Sequence, residues 1–268
     1  MNHTQVALVT GASSGIGLAT AQALATAGYQ VYGTSRKPMA NPAGVTMLMC
    51  DVTSDASVQA LIDQIMQQTG RIDLVVNNAG IGLLGGAEES SIAQVQRLFD
   101  VNVFGVARVV NAVLPILRAQ KAGRIVNMSS ILGLIPSPFN AFYAATKHAI
   151  EGYSESLDHE VRAFGIRVVL VEPGVTRTAF EENLTRADQP LPVYTVARQR
   201  SENLMRGWVN AGDDPQVVAD MVVNAATAKA PRLRYAAGKQ SRQARMLRRF
   251  MPERLVDRAF HKFNGLVD

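Results

Sequence analysis

The sequence has little of several residue types, and each shortage excludes a kind of structure. Only one of its 268 residues is a cysteine, Cys50, so a disulfide or a cysteine-based metal site within one chain is not expected. No uncharged apolar run approaches the length of a membrane span, and residues 1–5 lack the basic start and apolar core of a signal peptide. These absences predict a cytoplasmic protein.

The chain also lacks internal repeats, low-complexity tracts and a clear linker, and its length suits one large α/β domain. Hydrophobic residues make up 47% and charged residues 18%, which is ordinary for a globular protein with a sizeable core. The net charge of +5 is unevenly spread, since eleven Lys and Arg against two acids between Lys229 and Lys262 leave the remainder at −4. Basicity is therefore a property of the C-terminal end.

Closely spaced glycines follow the first predicted strand, residues 5–10. They lead into an Ala- and Leu-rich helical pattern that Gly28 ends. A strand, a glycine turn and a helix in this order point backbone N–H groups and a helix N-terminus at one place, where a pyrophosphate can bind. The pattern predicts a dinucleotide site that includes Gly11, Ser13, Ser14, Gly15, Ile16 and Gly17.

The end of the second predicted strand, residues 29–35, bears on the choice of dinucleotide. A binder of NAD(H) usually has an acidic residue here, about twenty residues after the glycines, to hold the ribose 2′-hydroxyl. This strand instead ends in Arg36 and Lys37. A planar guanidinium that is always charged suits a 2′-phosphate, so Arg36 favours NADP(H) over NAD(H).

Polar residues also follow the next two strands. Asp51 comes after a third strand, residues 45–50, and either accepts a hydrogen bond from an adenine amino group or caps a helix that begins near Ser54. A fourth strand, residues 74–76, brings residues 77–80 to the sheet edge that carries the glycine turn.

A nearly uncharged helix is predicted over residues 99–117. Because it is apolar nearly all round, it is expected to be buried on more than one side. Asn102, in its first turn, is the polar exception, and Pro115 is expected to end or bend the helix.

The middle of the chain contains three candidate catalytic residues, a serine, a tyrosine and a lysine. Ser130 lies at the end of a short strand, residues 124–128, and Tyr143 and Lys147 share one face of the following helix. An ammonium roughly 5 Å from a phenol, at a dielectric of about 20, lowers the phenol pKa by roughly two units. Tyr143 is therefore predicted to be a general acid/base tuned by Lys147, with Ser130 holding the substrate oxygen. The plain alternative is a half-buried tyrosine beside a solvated lysine.

A loose segment, residues 179–214, follows the sixth predicted strand, residues 166–171. A segment this long between a strand and the next helix is usually a lid or a binding loop. Within it, a helix over residues 193–209 is predicted to make apolar contacts through Val196, Leu204, Met205 and Trp208.

The predicted domain, residues 1–238, ends with a helix at residues 215–228 and an edge strand at residues 232–235. Residues 239–268 are predicted to be a basic helical extension in which apolar residues alternate with arginines. Such a segment either packs its apolar side on the domain or a partner subunit, or contacts an anionic membrane surface or a nucleic acid. Packing is favoured, and nucleic-acid binding is not expected.

Together these motifs resemble those of the short-chain dehydrogenase/reductase family, over roughly residues 4–236. They occur in the family's order: Thr10-Gly-x-x-x-Gly-Ile-Gly17, Asp51, Asn77-Asn-Ala-Gly80, Asn102, Ser130, Tyr143-x-x-x-Lys147 and Pro173-Gly-x-x-x-Thr178. Residues 34–36, the run from Gly152 and the long lid are most similar to the branch with 17β-hydroxysteroid and retinol dehydrogenase-like members. The resemblance implies a single-domain α/β fold with a doubly wound parallel sheet, the Rossmann fold.

The resemblance implies a role for each motif. Tyr143 is expected to exchange a proton with the carbonyl or alcohol oxygen, Ser130 rather than Ser129 to hydrogen-bond that oxygen, and Lys147 to bind the nicotinamide ribose. Asn102 is expected to hold a water that links Lys147 to solvent. The other expected cofactor contacts are Asp51, Val52, Asn78, Ala79, Gly80, Tyr143 itself, Pro173, Gly174, Val175 and Thr178.

The activity implied by the resemblance is hydride transfer between NADP(H) and a ketone, aldehyde or alcohol, without a metal. A homodimer through the helices that start near Phe99 and Ala141 is favoured over a tetramer. A sensor or scaffold that binds the dinucleotide without turnover is the alternative, but such proteins typically lose the tyrosine or the lysine. The pocket is expected to take a bulky apolar carbonyl compound between Leu83, Leu84, Ile131, Leu132, Phe139 and Phe180.

Overall fold

The computed structural model describes residues 4–180 and 183–263. Its central sheet consists of β1 Val6–Val9, β2 Gln30–Ser35, β3 Val45–Met49, β4 Leu74–Asn77, β6 Gly123–Met128, β7 Ile166–Pro173 and β9 Arg234–Ala237. Two short strands, β5 Leu83–Leu84 and β8 Thr185–Arg186, pair separately. The central strands are parallel and lie in the order β3-β2-β1-β4-β6-β7-β9. The order reverses between β1 and β4, where open α/β sheets bind ligands.

Helices cover both faces of this sheet, as the doubly wound fold requires. They are α1 Gly15–Thr26, α2 Asp55–Thr69, α3 Ile92–Phe99, α4 Gly105–Gln120, α5 Ala141–Val161, α6 Thr195–Asn210, α7 Pro215–Thr227, α8 Lys239–Phe250 and α9 Glu253–Phe263. One core cluster joins the sheet to α2, α4 and α5, and a second joins it to α1 and α7. The predicted fold class is therefore confirmed.

The helix that contains Asn102 differs from the prediction. It begins earlier, at Ile92, because the Ser91 hydroxyl caps α3 by accepting a hydrogen bond from the Gln94 N–H at 3.2 Å. Asn102 lies in a π-helical segment, Asp100–Phe104, between α3 and α4 rather than in a first turn. Pro115 does not end α4, which packs against α2 and the sheet and continues to Gln120.

The continuous helical run Ile92–Gln120 has the length and composition to cross a membrane. Core helices of soluble proteins pass the same test, and α4 contributes Val109, Val110 and Val113 to the core beneath the sheet. The cytoplasmic location stays a prediction.

The C-terminal elements fold back onto the domain. The last strand, β9, lies at the sheet edge as predicted, two residues later than expected, and pairs with β7 from Leu170 and Arg234 onward. Ala244 of α8 and Val256 and Phe260 of α9 form a small core with Ile135. In α6, by contrast, the predicted contact residue Val196 is 82% exposed, because α6 turns that side to solvent.

Candidate active site

The glycine turn after β1 forms one wall of a large cavity, and its geometry depends on glycine. Gly11 has a φ of +65°, and a Cβ on Gly17 would lie 2.2 Å from the Gly11 carbonyl oxygen. The Asn78 amide nitrogen donates to the Thr10 and Gly11 carbonyls at 3.0 Å each, so the end of β4 braces the turn. The N-cap residue Ser14 makes no side-chain hydrogen bond to α1. The turn and the start of α1 therefore present backbone to the cavity, as a phosphate cradle requires.

The predicted adenosine contacts Arg36, Asp51 and Val52 line the same cavity, with Arg36 exposed. Asp51 Oδ1 accepts hydrogen bonds from the Thr53 N–H at 2.9 Å and the Thr53 hydroxyl at 2.7 Å, which lower the pKa of the carboxyl. Ser54 caps α2, accepting from the Ser57 N–H at 3.2 Å. The alternative that Asp51 caps this helix is therefore wrong, because Ser54 is the residue next to its first turn.

Ser130, Tyr143 and Lys147 converge at the carboxyl end of β6. The Ser130 and Tyr143 hydroxyls hydrogen-bond each other, and Ser130 Oγ also accepts from the Leu132 N–H at 3.1 Å. Lys147 Nζ donates to the Met128 carbonyl at 2.9 Å and lies 5.6 Å from the centre of the Tyr143 ring. The structure thus brings together the three residues expected to carry the chemistry.

The electrostatics of this group differ from the prediction. Burial raises the pKa of Tyr143 to about 12, and the hydrogen bond with Ser130 opposes that rise. Burial likewise lowers the pKa of Lys147 to about 8, against the attraction of the Glu151 carboxylate. The expected lowering of the Tyr143 pKa is wrong in direction, because desolvation of the phenol dominates and the lysine ammonium faces a carbonyl.

Asn102 is buried and its amide is engaged by the protein. Oδ1 accepts from the Ile81 N–H at 2.9 Å, and Nδ2 donates to the Ile81 carbonyl at 2.9 Å and to the Thr146 hydroxyl at 3.2 Å. The side chain therefore fastens the loop after β4 to α5. The resemblance implies a water that links Asn102 to Lys147. Because Asn102 Nδ2 is already hydrogen-bonded within the protein, such a water has to bind to another atom of this residue.

The cavity has a volume of about 1360 Å³ and extends from the glycine turn to an apolar end beneath α6 and α8. Thr178, from the loop after β7, lies 3.3 Å from the position of a Cβ on Gly15, so this loop crosses the glycine turn. The remaining predicted cofactor residues that line the cavity are Ser13, Ile16, Ala79, Gly80, Pro173, Gly174 and Val175.

Four of the six predicted pocket residues line this cavity: Leu83, Ile131, Leu132 and Phe180. Phe180 also contacts the Tyr143 ring, with 5.8 Å between ring centres. Leu84 does not line the cavity, because it points the other way in the two-residue strand β5 and is buried. Phe139 does not line it either, since its φ of 62° turns the ring onto Tyr194, 6.2 Å away.

The predicted lid, residues 179–214, includes residues 181–182, which lie outside the described part of the chain. It is anchored by Glu89, which is fully buried and was not singled out from the sequence. This carboxylate accepts from the Gly86 N–H at 2.7 Å and the Leu191 N–H at 2.8 Å, and pairs with Arg198. These bonds tie the start of α6 to the loop after β5.

Sequence reasoning also missed the contribution of the C-terminal helices to the cavity. Positions 241, 244 and 247 repeat on one face of α8, but this spacing does not say which surface the face covers. Val175 N–H donates to Gln240 Oε1 at 3.2 Å, which attaches the start of α8 to the loop after β7. The lining residues from α8 and α9 are Gln240, Gln243, Ala244, Leu247, Ala259 and Phe260.

A buried acid, Glu172, lies near the end of β7, the strand that packs against α5. Within the described residues its carboxylate has no hydrogen-bond partner, although Arg234 is 3.6 Å and Arg245 is 3.7 Å away. Burial and the nearby Glu151 carboxylate raise the pKa of Glu172 to about 7, against the attraction of the two arginines. Glu151 itself pairs with Arg234 at 2.8 Å.

A sequence model of the short chain dehydrogenases matches residues 5–189. The chain belongs to this family. The 3-ketodihydrosphingosine reductase of Bacteroides thetaiotaomicron is 47% identical over 179 residues, which are 67% of this chain and 66% of that protein. The retinol dehydrogenase 8 of Bos taurus is 39% identical over 249 residues, which are 85% of this chain and 79% of that protein.

Solved structures of other short-chain dehydrogenases share the fold. One from Streptomyces avermitilis is 31% identical, with a TM-score of 0.83 over 99% of this chain and 96% of that one. One from Burkholderia phymatum, in complex with NAD, is 29% identical, with a TM-score of 0.77 over 87% and 89% of the two chains. A metagenomic short-chain oxidoreductase in complex with NADP is 27% identical, with a TM-score of 0.70 over 89% and 100%. This short-chain dehydrogenase is thus an oxidoreductase whose structural neighbours bind either dinucleotide.

Proposed function

We propose that this short-chain dehydrogenase reduces a bulky apolar ketone or aldehyde with NADPH, and runs the reverse oxidation of the alcohol. The hydrogen-bonded pair Ser130 and Tyr143 carries the proposal, because it lies in one cavity with the glycine turn and an apolar end. The dinucleotide supplies the hydride when it is bound. The residues that would hold it are the glycine turn, the start of α1, Asp51, residues 78–80, Lys147 and residues 173–178.

Proton transfer falls to Tyr143, with Ser130 holding the substrate oxygen. A phenol with a pKa of about 12 stays protonated at neutral pH, so it is ready to donate its proton to a carbonyl oxygen. The ammonium of Lys147 lies 5.6 Å from the centre of the ring but donates to the Met128 carbonyl, so burial keeps the phenol protonated. This is the protonation state that carbonyl reduction requires.

Arg36 supports NADP(H) as the cofactor, because it lines the cavity at the end of β2, where an acid would suit NAD(H). We expect Arg36→Asp to lower kcat/KM with NADPH by about 10- to 100-fold, the value of one hydrogen bond to a charged group, and to improve the use of NADH. Steady-state kinetics with both dinucleotides measures the change. Arg206→Asp, an exposed arginine of α6, is the control; an unchanged preference in the Arg36 variant would refute the NADP assignment.

The substrate end of the cavity is apolar and is partly built by α8, so we propose that the C-terminal extension acts with the domain as one site. We expect Ala244→Leu to raise KM for bulky ketones about tenfold and to leave small ketones unaffected, since added methylenes cost about 1–3 kcal/mol in a filled pocket. Arg242→Leu, on the outer face of α8, is the matched control. Equal effects on large and small substrates would contradict this pocket.

A panel of steroid, retinoid and long-chain keto lipids, set against small polar ketones, tests the proposed function through the loss of NADPH absorbance. The names of the two relatives favour the lipids, since 3-ketodihydrosphingosine and retinol both carry a large hydrocarbon part. If no compound of the panel is turned over although the protein binds the dinucleotide tightly, a sensor or scaffold function would be favoured instead. The homodimer stays a prediction.

A further inference from the structure

The turn between α8 and α9 exposes a group of large apolar side chains. Met246, Phe250, Met251 and Leu255, here called the α8–α9 corner, are 59%, 67%, 37% and 46% exposed. The inner sides of the same helices are packed, since Ala244, Val256 and Phe260 belong to the small core with Ile135. The apolar residues of the extension thus divide into an inner set that covers the domain and an outer set that remains at the surface.

The two helices that form this corner carry a surplus of exposed positive charge. Their exposed cations outnumber their two exposed acids, Glu253 and Asp257. Arg245 is turned inward towards Glu172 and does not belong to this surface. The exposed cations of α8 and α9 are Lys239, Arg242, Arg248, Arg249, Arg254 and Arg258.

We propose that the α8–α9 corner docks the protein on the surface of an anionic lipid bilayer. Exposed apolar side chains next to arginines in the sequence of two helices suit such a surface, because the apolar groups enter the boundary beneath anionic headgroups that the guanidinium groups bind. A second copy of this chain fits less well, since a two-fold contact would bring the arginines of both copies together. Charge complementarity therefore selects the bilayer.

The position of the corner gives the docking a consequence for the site. On their inner sides the same helices line the apolar end of the cavity through Ala244, Leu247 and Phe260. The helices that would meet the bilayer are therefore also helices that line the space proposed to take an apolar substrate. The docking itself does not depend on the proposed reaction.

Vesicle co-sedimentation of the full chain tests the docking. We expect binding to phosphatidylcholine vesicles that contain phosphatidylserine, little binding to phosphatidylcholine alone, and weaker binding as salt rises. Phe250→Ser combined with Leu255→Ser should lower partitioning at least about tenfold, since burial of such side chains drives insertion. Arg249→Gln should lower it about fivefold. The control is Ile92→Ser in α3, which alters an apolar side chain that is 68% exposed at a distant place.

The thermal unfolding midpoint shows whether each variant is folded, independently of any turnover. Equal sedimentation of the Phe250/Leu255 variant and the Ile92 control, both folded, would overturn the docking. Binding to vesicles that does not depend on phosphatidylserine would also overturn the docking. Light scattering without vesicles adds a further check: a loss of mass in the Phe250/Leu255 variant would assign the corner to a second copy of the chain and would also overturn the proposal.

Discussion

Replacing Tyr143 by Phe is expected to lower kcat/KM for carbonyl reduction about a thousandfold, within the range of general acid catalysis. Phenylalanine keeps the contacts of the aromatic ring with Phe180 and Lys147. It removes the phenol hydroxyl, which forms a hydrogen bond with Ser130. The substrate oxygen then keeps its hydrogen bond from Ser130 but loses the phenol that transfers the proton. Dinucleotide affinity, followed by NADPH fluorescence, should change little, because the glycine turn and Lys147 are untouched.

Tyr153→Phe is the matched control for this experiment. Tyr153 lies on the same helix, and burial raises its pKa to about 12 as well, but it is packed against the hydrophobic core and does not line the cavity. Its loss should leave turnover near that of the unmodified protein. If the Tyr143 variant kept a turnover comparable to that of the Tyr153 variant, Tyr143 would not be the proton donor.

Replacing Glu172 by Gln is expected to stabilise the protein at pH 8 by about 3 kcal/mol and to have little effect at pH 5. The pKa of this buried carboxyl is raised from 4.5 to about 7, so the folded protein binds its proton more tightly than the unfolded chain does. Stability is therefore lost as the pH rises from about 4.5 to about 7, where the buried group must ionise. A neutral amide removes that cost.

Denaturant unfolding at the two pH values measures this effect, with the slope m as a check that the transition is unchanged. The control is Glu155→Gln in the same cluster. Glu155 is exposed, and its hydrogen bond with Arg234 lowers its pKa, so its loss should destabilise slightly at pH 8 rather than stabilise. If Glu172→Gln behaved like this control, the Glu172 carboxylate would be a charged partner of Arg234 and Arg245 and not a strained buried acid.

The local parts of the fold were predictable because they depend on neighbouring residues. Apolar residues at helical spacing predicted the buried face of α2, and Val58, Leu61, Ile62 and Ile65 are all buried there. The order of strand, glycine turn and helix predicted where α1 begins. The helix that contains Asn102 begins at Ile92, seven residues before the predicted start at residue 99. The sequence did not show this, because the π-helical segment in the middle of the helix interrupts the periodic pattern of apolar residues.

The sequence by itself therefore determined the family, the sheet, the glycine turn and the shared face of Tyr143 and Lys147. These follow from short-range spacing and backbone geometry. Only the tertiary structure decided the direction of the Tyr143 pKa, since solvation of the phenol depends on what covers it. Contacts across long stretches of chain likewise brought Arg245 to Glu172 and Leu247 to the cavity. A helical period shows that a face is apolar, but the partner of that face is chosen by the packing of the whole chain.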